Sequence, residues 1–447
     1  MKSAGMGVTI VSIVSEAEEG DPAMTKARDP VPTVAFIDDY CAHYRSVFPN
    51  VRQFEQFTHL ELGLTAETKR KSLPRLAQTA KADPQALHHF LAEADWSVEQ
   101  VRARRLEVTR QALRERPFIL CIDETGDRKK GKTTDYAASQ YIGNIHGLAN
   151  GVVSVNAYGV LDTVTFPLAC RIDKPERRLK PGDVFKSKPQ LAVELIQELA
   201  TQGFHFSVVL ADSLYGESYD FTSALERLGL SYVVAIRSNH VVWTFPGERV
   251  RQTRWRPFER VFTDGTTEQR YRCEFVFGKR TRTRYFAITT DPVHLPPETT
   301  WNIMTNLPGK IERSVGNTFG LRTWIEYGFK HAKDELGWAD YRLTDAHSIE
   351  RWWELVMCAY LLVSLQAPAL AAPPPAPQSP AETSQHPAWT EDASWKHRLT
   401  NLRLLLQPFV CSCLLLPWLR LYPLPHLAAG LADLCALMNT YHPTFPT

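Results

Sequence analysis

The sequence has 447 residues, a net charge of +2 and a hydrophobic content of 44%. This length suits two or three domains with substantial cores and excludes a small disulfide-stapled fold. The near-neutral charge excludes a globally basic surface, so any affinity for nucleic acid has to come from local patches. The eight cysteines include no CxxC motif, which argues against a zinc site or a disulfide framework and favours a reducing cytoplasm.

Residues 1–30 contain the partly acidic stretch SEAEEGDPA and lack the apolar segment of a signal peptide, so we predict a disordered leader. The most apolar stretches farther along the chain are LVMCAYLLVSL and FVCSCLLLPWLRLYPLP. They are too short, or too interrupted by proline, for a membrane span. We predict that both are core helices and that the protein is cytoplasmic, without a membrane partner.

Residues 31–116 show apolar residues that recur about every 3.6 positions, in segments separated by proline, aspartate or serine. This pattern predicts an all-α N-terminal domain. Its basic residues could contact DNA phosphates, although a solvated helix face accounts for them equally well; they are Lys69, Arg70, Lys71, Arg75, Arg102, Arg104 and Arg105.

From Pro117 the pattern changes to β-rich runs at 118–123, 151–160 and 163–172, which predict three sequential strands. A helix pattern then leads to the buried run FSVVLAD, to a further helix and to the strand SYVVAI. Such strand–helix–strand alternation predicts parallel pairing. The order βββαβαβ, followed after an interruption by a helix from residue 319, is typical of a ribonuclease-H-like core, so the predicted fold is mixed α/β and the predicted catalytic domain spans 117–366.

The interruption, at about 237–308, contains the alternating stretch YRCEFVFGKRTRTRYFAITT and is predicted to be a β-rich insertion. In its RTRTR run, alternation places Arg280, Arg282 and Arg284 on one sheet face, where they would contact DNA phosphates. The alternative is the solvated outer face of a sheet. Beyond the core, the proline-rich residues 367–390 predict a flexible linker, and 391–447 predict a helical C-terminal segment.

Two aspartates stand at the ends of predicted strands. Asp123 ends FILCID and Asp212 ends VVLAD, and open α/β sheets place their sites at the carboxyl ends of strands. Either aspartate alone would more often be a helix cap or a turn residue. A third acid, Glu326, lies at the border of the apolar face of a predicted helix, on a stripe with Phe319, Arg322 and Lys333. An ordinary Arg322–Glu326 surface pair is the alternative explanation of that stripe.

Three carboxylates without histidine or cysteine suit Mg²⁺. Glu124 and Asp127, close to Asp123 in sequence, are second-choice ligands, because alternation turns Glu124 away from the site face of the strand. The lysines of the following loop could neutralise phosphates, or could form a solvated basic loop; they are Lys129, Lys130 and Lys132.

These residues resemble bacterial insertion-sequence transposases of the DDE type. The likeness lies in the strand-end Asp123, the LADSLYG segment around Asp212 and the spacing R-x3-E-x6-K of Arg322, Glu326 and Lys333. It points to the group with a Y-x2-R-x3-E-x6-K signature and a β-strand insertion in a ribonuclease-H-like core, and it covers about residues 31–366. One position departs from the signature, since Phe319 stands where the family has tyrosine.

The resemblance implies that Asp123, Asp212 and Glu326 are catalytic and hold two Mg²⁺ ions, with Mn²⁺ as a substitute. It implies cut-and-paste transposition, in which a homodimer on double-stranded DNA cleaves terminal inverted repeats and joins the freed end to target DNA in the nucleoid. Arg322 and Lys333 would contact phosphates near the cleaved bond. Related enzymes open the second strand through a hairpin, with an aromatic residue of the insertion holding a flipped base; Trp243 and Trp255 are the candidates here.

Two other classes of function remain open from the sequence. One is a ribonuclease-H-like DNA nuclease that cleaves without joining. The other is a non-catalytic DNA-binding descendant, which would have no need of the three acids.

Overall fold

The computed structural model describes residues 28–131, 133–145, 147–262, 265–278, 281–370, 386–390 and 394–439. Several predictions fall outside this part of the chain. They concern Lys132, Arg280, nearly all of the leader predicted at 1–30 and most of the linker predicted at 367–390.

The described part of the chain begins with five α-helices, several of which start at a residue that favours a helix start. Asn50, Asp83 and Ser97 cap the second, fourth and fifth helices by accepting a hydrogen bond from a backbone amide of the first turn. The helices are α1 (Ala35–Ala42), α2 (Val51–Thr65), α3 (Leu73–Ala80), α4 (Pro84–Ala92) and α5 (Val98–Leu113). Three of the basic residues considered for DNA contact are buried: Lys71, between α2 and α3, and Arg102 and Arg105 of α5. Neither a solvated face nor a phosphate contact accounts for them.

The described strands form one mixed sheet, which confirms the predicted mixed α/β fold. The first six strands are β1 (Phe118–Arg128), β2 (Ala138–Ile142), β3 (Gly147–Leu161), β4 (Val164–Ile172), β5 (Phe206–Ala211) and β6 (Tyr232–Ile236). Strand β3 lies antiparallel to β1, while β5 is parallel to both β1 and β6. The parallel pairing expected from the strand–helix–strand pattern is therefore present at the centre of the sheet.

The insertion extends this central sheet. Its strands are β7 (Val250–Gln252), β8 (Arg256–Val261), β9 (Thr267–Phe277), β10 (Arg284–Thr289) and β11 (Trp301–Thr305). Strand β11 pairs antiparallel with β6, and β10 and β9 continue outward from it. The insertion therefore places its arginines and aromatic residues on the same sheet that carries Asp123 and Asp212.

Six helices follow or flank the central strands: α6 (Lys188–Thr201), α7 (Ser213–Gly216), α8 (Tyr219–Arg227), α9 (Val315–Gly320), α10 (Thr323–Asp334) and α11 (Ala346–Ser364). Helix α11 is buried along nearly its whole length. Its Glu354 forms a buried ion pair with Arg105 of α5, 2.5 Å from Nε to Oε1, and Tyr40 of α1 donates to the carbonyl of Cys358. The N-terminal helices and the sheet therefore share one hydrophobic core.

The last two helices of the described residues are α12 (Trp395–Leu421) and α13 (Pro425–Met438). Helix α12 continues through Pro408 and Pro417, so the prediction that proline interrupts this stretch is wrong. The prediction of a core helix is also wrong for its C-terminal half, because from Phe409 to Leu421 only Cys413 is buried. Among the described residues, α12 alone has the length and mean hydropathy (1.6) of a membrane span, which by itself is weak evidence for one.

Candidate active site

Asp123 and Asp212 lie beside each other where β1 and β5 stop pairing. Asp212 directly follows β5, but Asp123 lies within β1, which stays paired with β3 as far as Arg128, so the prediction that Asp123 ends its strand is wrong. The ladder between β1 and β5 ends with Ile122 opposite Ala211, and each aspartate is the next residue. Asp212 also caps α7, because its Oδ1 accepts a hydrogen bond from the amide of Leu214 at 2.9 Å. Asp212 can therefore be both a helix cap and a residue of the active site, and the two explanations do not exclude each other.

Arg322 connects Asp123 with Glu326. Its Nη1 donates to Asp123 Oδ2 at 3.1 Å and its Nη2 donates to Glu326 Oε1 at 2.9 Å. The side chain of Glu326 is 54% exposed and does not reach the aspartates. Within the described parts of the chain, no three histidine, cysteine or acidic side chains form a group that could hold a metal ion.

The electrostatics around Asp123 favour the binding of a cation. The pKa of Asp123 is raised to about 8, chiefly by burial; the charge of Arg322 opposes this rise, and the charges of Asp212 and Glu124 add to it. Burial also raises the pKa of Asp212, with Glu124 as the next cause. Carboxylates that raise each other's pKa values repel one another unless a cation lies between them. Asp123 and Asp212 therefore fit a hard divalent cation, and Glu326 lines the same cavity.

Two cavities meet at the aspartates. One, of about 670 Å³, is lined by Asp123, Glu124, Asp212, Arg322 and Glu326, among others. The other, of about 810 Å³, extends from Asp212 and Arg322 toward the insertion. Asp212 and Arg322 line both, so a ligand in either cavity would contact this pair.

The second cavity holds an aromatic pair that the sequence analysis missed. Phe319, only 5% exposed, contacts the ring of Trp301 edge to face, with centroids 5.3 Å apart. The guanidinium groups of Arg260 and Arg270 lie 4.7 and 4.2 Å from the centroid of the Trp301 ring. Trp243, by contrast, is 93% exposed and away from this cavity. No feature of the sequence distinguished Trp301 from the other tryptophans of the insertion.

The signature stripe does not lie on a single helix. Helix α9 ends at Gly320 and α10 begins at Thr323, so Phe319 belongs to the preceding helix and Arg322 is the N-cap residue of α10. The prediction of one continuous helix from residue 319 is wrong. The two helices nevertheless bring Phe319, Arg322 and Glu326 to the walls of the two cavities.

Lys333 and Lys129 surround the buried carboxylate of Asp127. The Nζ of Lys333 donates to the carbonyl of Gly126 at 2.8 Å and lies 3.4 Å from Asp127 Oδ1. The ammonium of Lys129 lies 3.4 Å from the centroid of the Tyr341 ring, and burial lowers its pKa to about 8. Both lysines are thus engaged within the protein, whereas Lys130 is exposed. Their contacts with DNA stay a prediction.

The arginines of the insertion divide into an exposed and a buried set. The guanidinium of Arg284 donates to Glu274 at 2.8 Å and to Glu312 at 2.7 Å, and Arg260 and Arg270 are buried. The exposed arginines of the described insertion are Arg237, Arg249, Arg251, Arg254, Arg256 and Arg282. Strand β10 begins at Arg284, so Arg282 lies before the strand, and the prediction that these arginines share one sheet face is wrong.

Known proteins are similar in sequence to this chain. A family model described as a DDE superfamily endonuclease matches residues 43–272, about half of the chain. The chain is also 50% identical, over 329 residues, to a protein of Microchaete diplosiphon named "Probable transposase for insertion sequence element IS701". That match covers 73% of this chain and 87% of the relative. The chain therefore belongs to the DDE endonucleases, as one of the transposases of insertion sequences.

Proposed function

We propose that this transposase catalyses cut-and-paste transposition, cleaving DNA at the terminal inverted repeats of its insertion sequence and joining the freed 3′ end to target DNA. The observation that carries the proposal is that Asp123 and Asp212 each follow the last pair between β1 and β5, with Arg322 linking Asp123 to Glu326. In this proposal residues 117–366 are a ribonuclease-H-like catalytic domain with the insertion at about 237–308, and residues 31–116 are a helical N-terminal domain.

Asp123, Asp212 and Glu326 would hold the divalent metal, which we propose to be two Mg²⁺ ions, or Mn²⁺ in their place. The bound metal supplies acidification of the attacking water or 3′-hydroxyl and stabilisation of the leaving oxygen. Arg322 is suited to bind a phosphate of the reacting strand, because its guanidinium lines both cavities. The exposure of Glu326 leaves its carboxylate free to turn toward the aspartates once Arg322 bonds to DNA.

The exposed arginines of the insertion, with Lys130, would bind the DNA backbone. They supply a local basic surface on a chain whose net charge is only +2, as phosphate contacts require. If the second strand opens through a hairpin, the cavity lined by Trp301 and Phe319 is the place for an unstacked base, because aromatic rings hold such bases by stacking. This assigns the role to Trp301, in preference to Trp243 or Trp255.

We propose a homodimer on the DNA, in the nucleoid of the cytoplasm. The support is the helical pair α12–α13, in which no described residue of α13 is buried. Large apolar side chains cover its surface: Leu414, Leu415, Trp418, Leu421, Leu427, Leu434 and Leu437 are exposed. An isolated helix of this length is marginally stable in water, and the same surface of a second copy would cover it.

The deciding experiment is incubation of the purified protein with a labelled inverted-repeat end, target DNA and Mg²⁺, scored for nicking and for strand transfer. The proposal expects both products. Nicking without transfer would favour the alternative, a ribonuclease-H-like nuclease. A gel shift without either product would favour a non-catalytic DNA-binding descendant.

A further inference from the structure

We infer that Glu124 is a positioning residue of the active site, whose carboxylate connects the strand that bears Asp123 to the helix that begins at Asp212. The inference rests on the proposed function, because positioning these two aspartates has a consequence only if they hold the metal. It assigns a role to Glu124, Tyr215 and Lys188 beyond the three acids of the signature.

Both oxygens of Glu124 are hydrogen-bonded from the two helices on its side of the sheet. The hydroxyl of Tyr215, on α7, donates to Oε2 at 3.0 Å, and the ammonium of Lys188, on α6, donates to Oε1 at 3.3 Å. Tyr215 is fully buried, which raises its pKa well above the usual value. Its hydroxyl therefore keeps its proton and donates throughout the neutral range.

The hydrogen bond between Glu124 and Tyr215 joins β1 to α7 beyond the point where β1 and β5 stop pairing. Pairing of β1 with β5 stops at Ile122 and Ala211, one residue before each aspartate. Beyond that point β1 pairs with β3 on its other side, while the chain after Asp212 turns into α7. The contact from Glu124 to Tyr215, three residues after Asp212, thus ties the two aspartate-bearing segments together.

Lys188 carries a positive charge at a helix N-terminus, where such charges are disfavoured. This position suggests that its ion pair with Glu124 has a role. Lys188 is the first residue of α6, where the helix dipole disfavours a positive charge. The helix start is already satisfied by a capping box between Ser187 and Gln190. Burial raises the pKa of the neighbouring Asp173, and Lys188 opposes that rise while Glu124 adds to it. Lys188 therefore balances two carboxylates at this end of the sheet.

The contacts also distinguish Glu124 from a metal ligand. Glu124 lines the same cavity as Asp123 and Asp212, but its contacts differ from theirs: Asp123 contacts Arg322 at the N-cap of α10, whereas Glu124 contacts α6 and α7. Its two oxygens are occupied by protein donors. The charge of Glu124 still acts on both aspartates, since it raises the pKa of each, so its position affects how strongly they attract a cation.

The test compares Tyr215→Phe, Glu124→Gln and the double variant with the parent chain. Calorimetric titration of the DNA-free proteins with Mg²⁺ and nicking of a labelled DNA end are measured, alongside thermal unfolding. We expect Tyr215→Phe to weaken Mg²⁺ binding and slow nicking by about tenfold, since small misplacements of reacting groups cost factors of this size or more. The double variant is expected to be no slower than the worse single variant, because both changes break one contact.

Tyr219→Phe, at an exposed tyrosine of the next helix, is the matched control and should match the parent. The inference is overturned if Tyr215→Phe binds Mg²⁺ and nicks DNA like the parent. It is equally overturned if Glu124→Gln abolishes nicking while Tyr215→Phe does not, since that pattern marks a ligand, or if the variants lose only thermal stability. If the parent binds Mg²⁺ without cutting DNA, the proposed function fails. The calorimetric titration of the variants with Mg²⁺ then decides the role of Glu124 by itself.

Discussion

The guanidinium of Arg322 lies 3.1 Å from the carboxylate of Asp123, across 199 positions of sequence. A second nitrogen of the same group donates to Glu326. Arg322 therefore compensates part of the negative charge of both Asp123 and Glu326. Its i, i+4 pair with Glu326 is one of two ion pairs, and the other joins Arg322 to β1 of the sheet. A group that bridges two carboxylates in this way can transfer its hydrogen bonds to a DNA phosphate when a metal binds those acids.

Changing Asp123, Asp212 or Glu326 to the matching amide should abolish cleavage and strand transfer. The amide keeps the size of the side chain and removes the negative charge that binds Mg²⁺. DNA binding should persist or improve, because repulsion of the phosphates falls. The measurements are cleavage of an inverted-repeat substrate and a gel shift on the same proteins.

The control for these variants is Asp162→Asn, in the turn after β3 and at the end of the sheet opposite the site. Asp162 is exposed and has φ of 52°, a conformation that asparagine tolerates. Glu335 is unsuitable as a control, because it pairs with Arg403 and Lys396 and so connects α10 to α12. If Glu326→Gln cleaves DNA at the parent rate, Glu326 is not a metal ligand, and its role is limited to the ion pair with Arg322.

Phe319→Tyr should preserve activity or raise it modestly. The ring already lies against Trp301 at the wall of the cavity, so the substitution adds one hydroxyl, the group present in the family signature. Thermal unfolding and strand transfer are the measurements. A large loss of stability would mean that the ring edge is packed against protein and does not face the cavity.

The exposed and the buried arginines of the insertion should behave differently when replaced by alanine. Loss of Arg254, Arg256 and Arg282 should weaken binding of many sequences alike and lower the slope of log K against log salt by about one unit per lost phosphate contact. Arg284→Ala should instead lower stability by about 2 kcal/mol, because it removes an ion-paired partner of the buried Glu274. Binding at several salt concentrations and thermal unfolding separate the two effects. An unchanged salt slope in the triple variant would contradict a backbone-binding role.

The sequence predicted those parts of the site that depend on local patterns. An apolar run that ends in an acid was enough to place Asp212 at the end of β5, and the spacing of Arg322 and Glu326 predicted their pairing. The same pattern was wrong for Asp123, because pairing with β3 continues β1 to Arg128. What the sequence could not predict depends on contacts between distant segments. The ion pair of Arg284 with Glu312 and the packing of Trp301 on Phe319 arise only when β10, β11 and α9 come together.

Lys333→Ala should reduce stability as well as DNA binding and cleavage. The ammonium of Lys333 lies 3.4 Å from Asp127, whose pKa burial raises and Lys333 lowers. Removing Lys333 should cost about 2 kcal/mol, because a buried carboxylate loses an opposite charge. The double variant Asp127→Asn with Lys333→Ala should recover most of the stability without recovering DNA binding. A lysine that serves only as a phosphate contact would leave the unfolding temperature of the single variant unchanged.

Stability should fall as the pH drops from about 6.5 toward 4, partly because of His331. Its ring stacks on Trp395 with centroids 4.7 Å apart, and burial lowers its pKa from 6.5 to about 4. The folded state therefore keeps this ring neutral where the unfolded chain takes up a proton, so the stabilisation is complete above pH 6.5 and is lost progressively below it. The loss attributable to His331 should be about 2 kcal/mol at pH 4.5.

His331→Phe keeps an aromatic ring against Trp395 and cannot titrate, so its free energy of unfolding should depend less on pH across this range than that of the parent. His89→Phe, at an exposed position of α4, controls for the substitution itself. Equal pH dependence of the parent and His331→Phe in urea titrations would show that the stacked ring is protonated without penalty, and that α12 is not held to α10 by a neutral histidine.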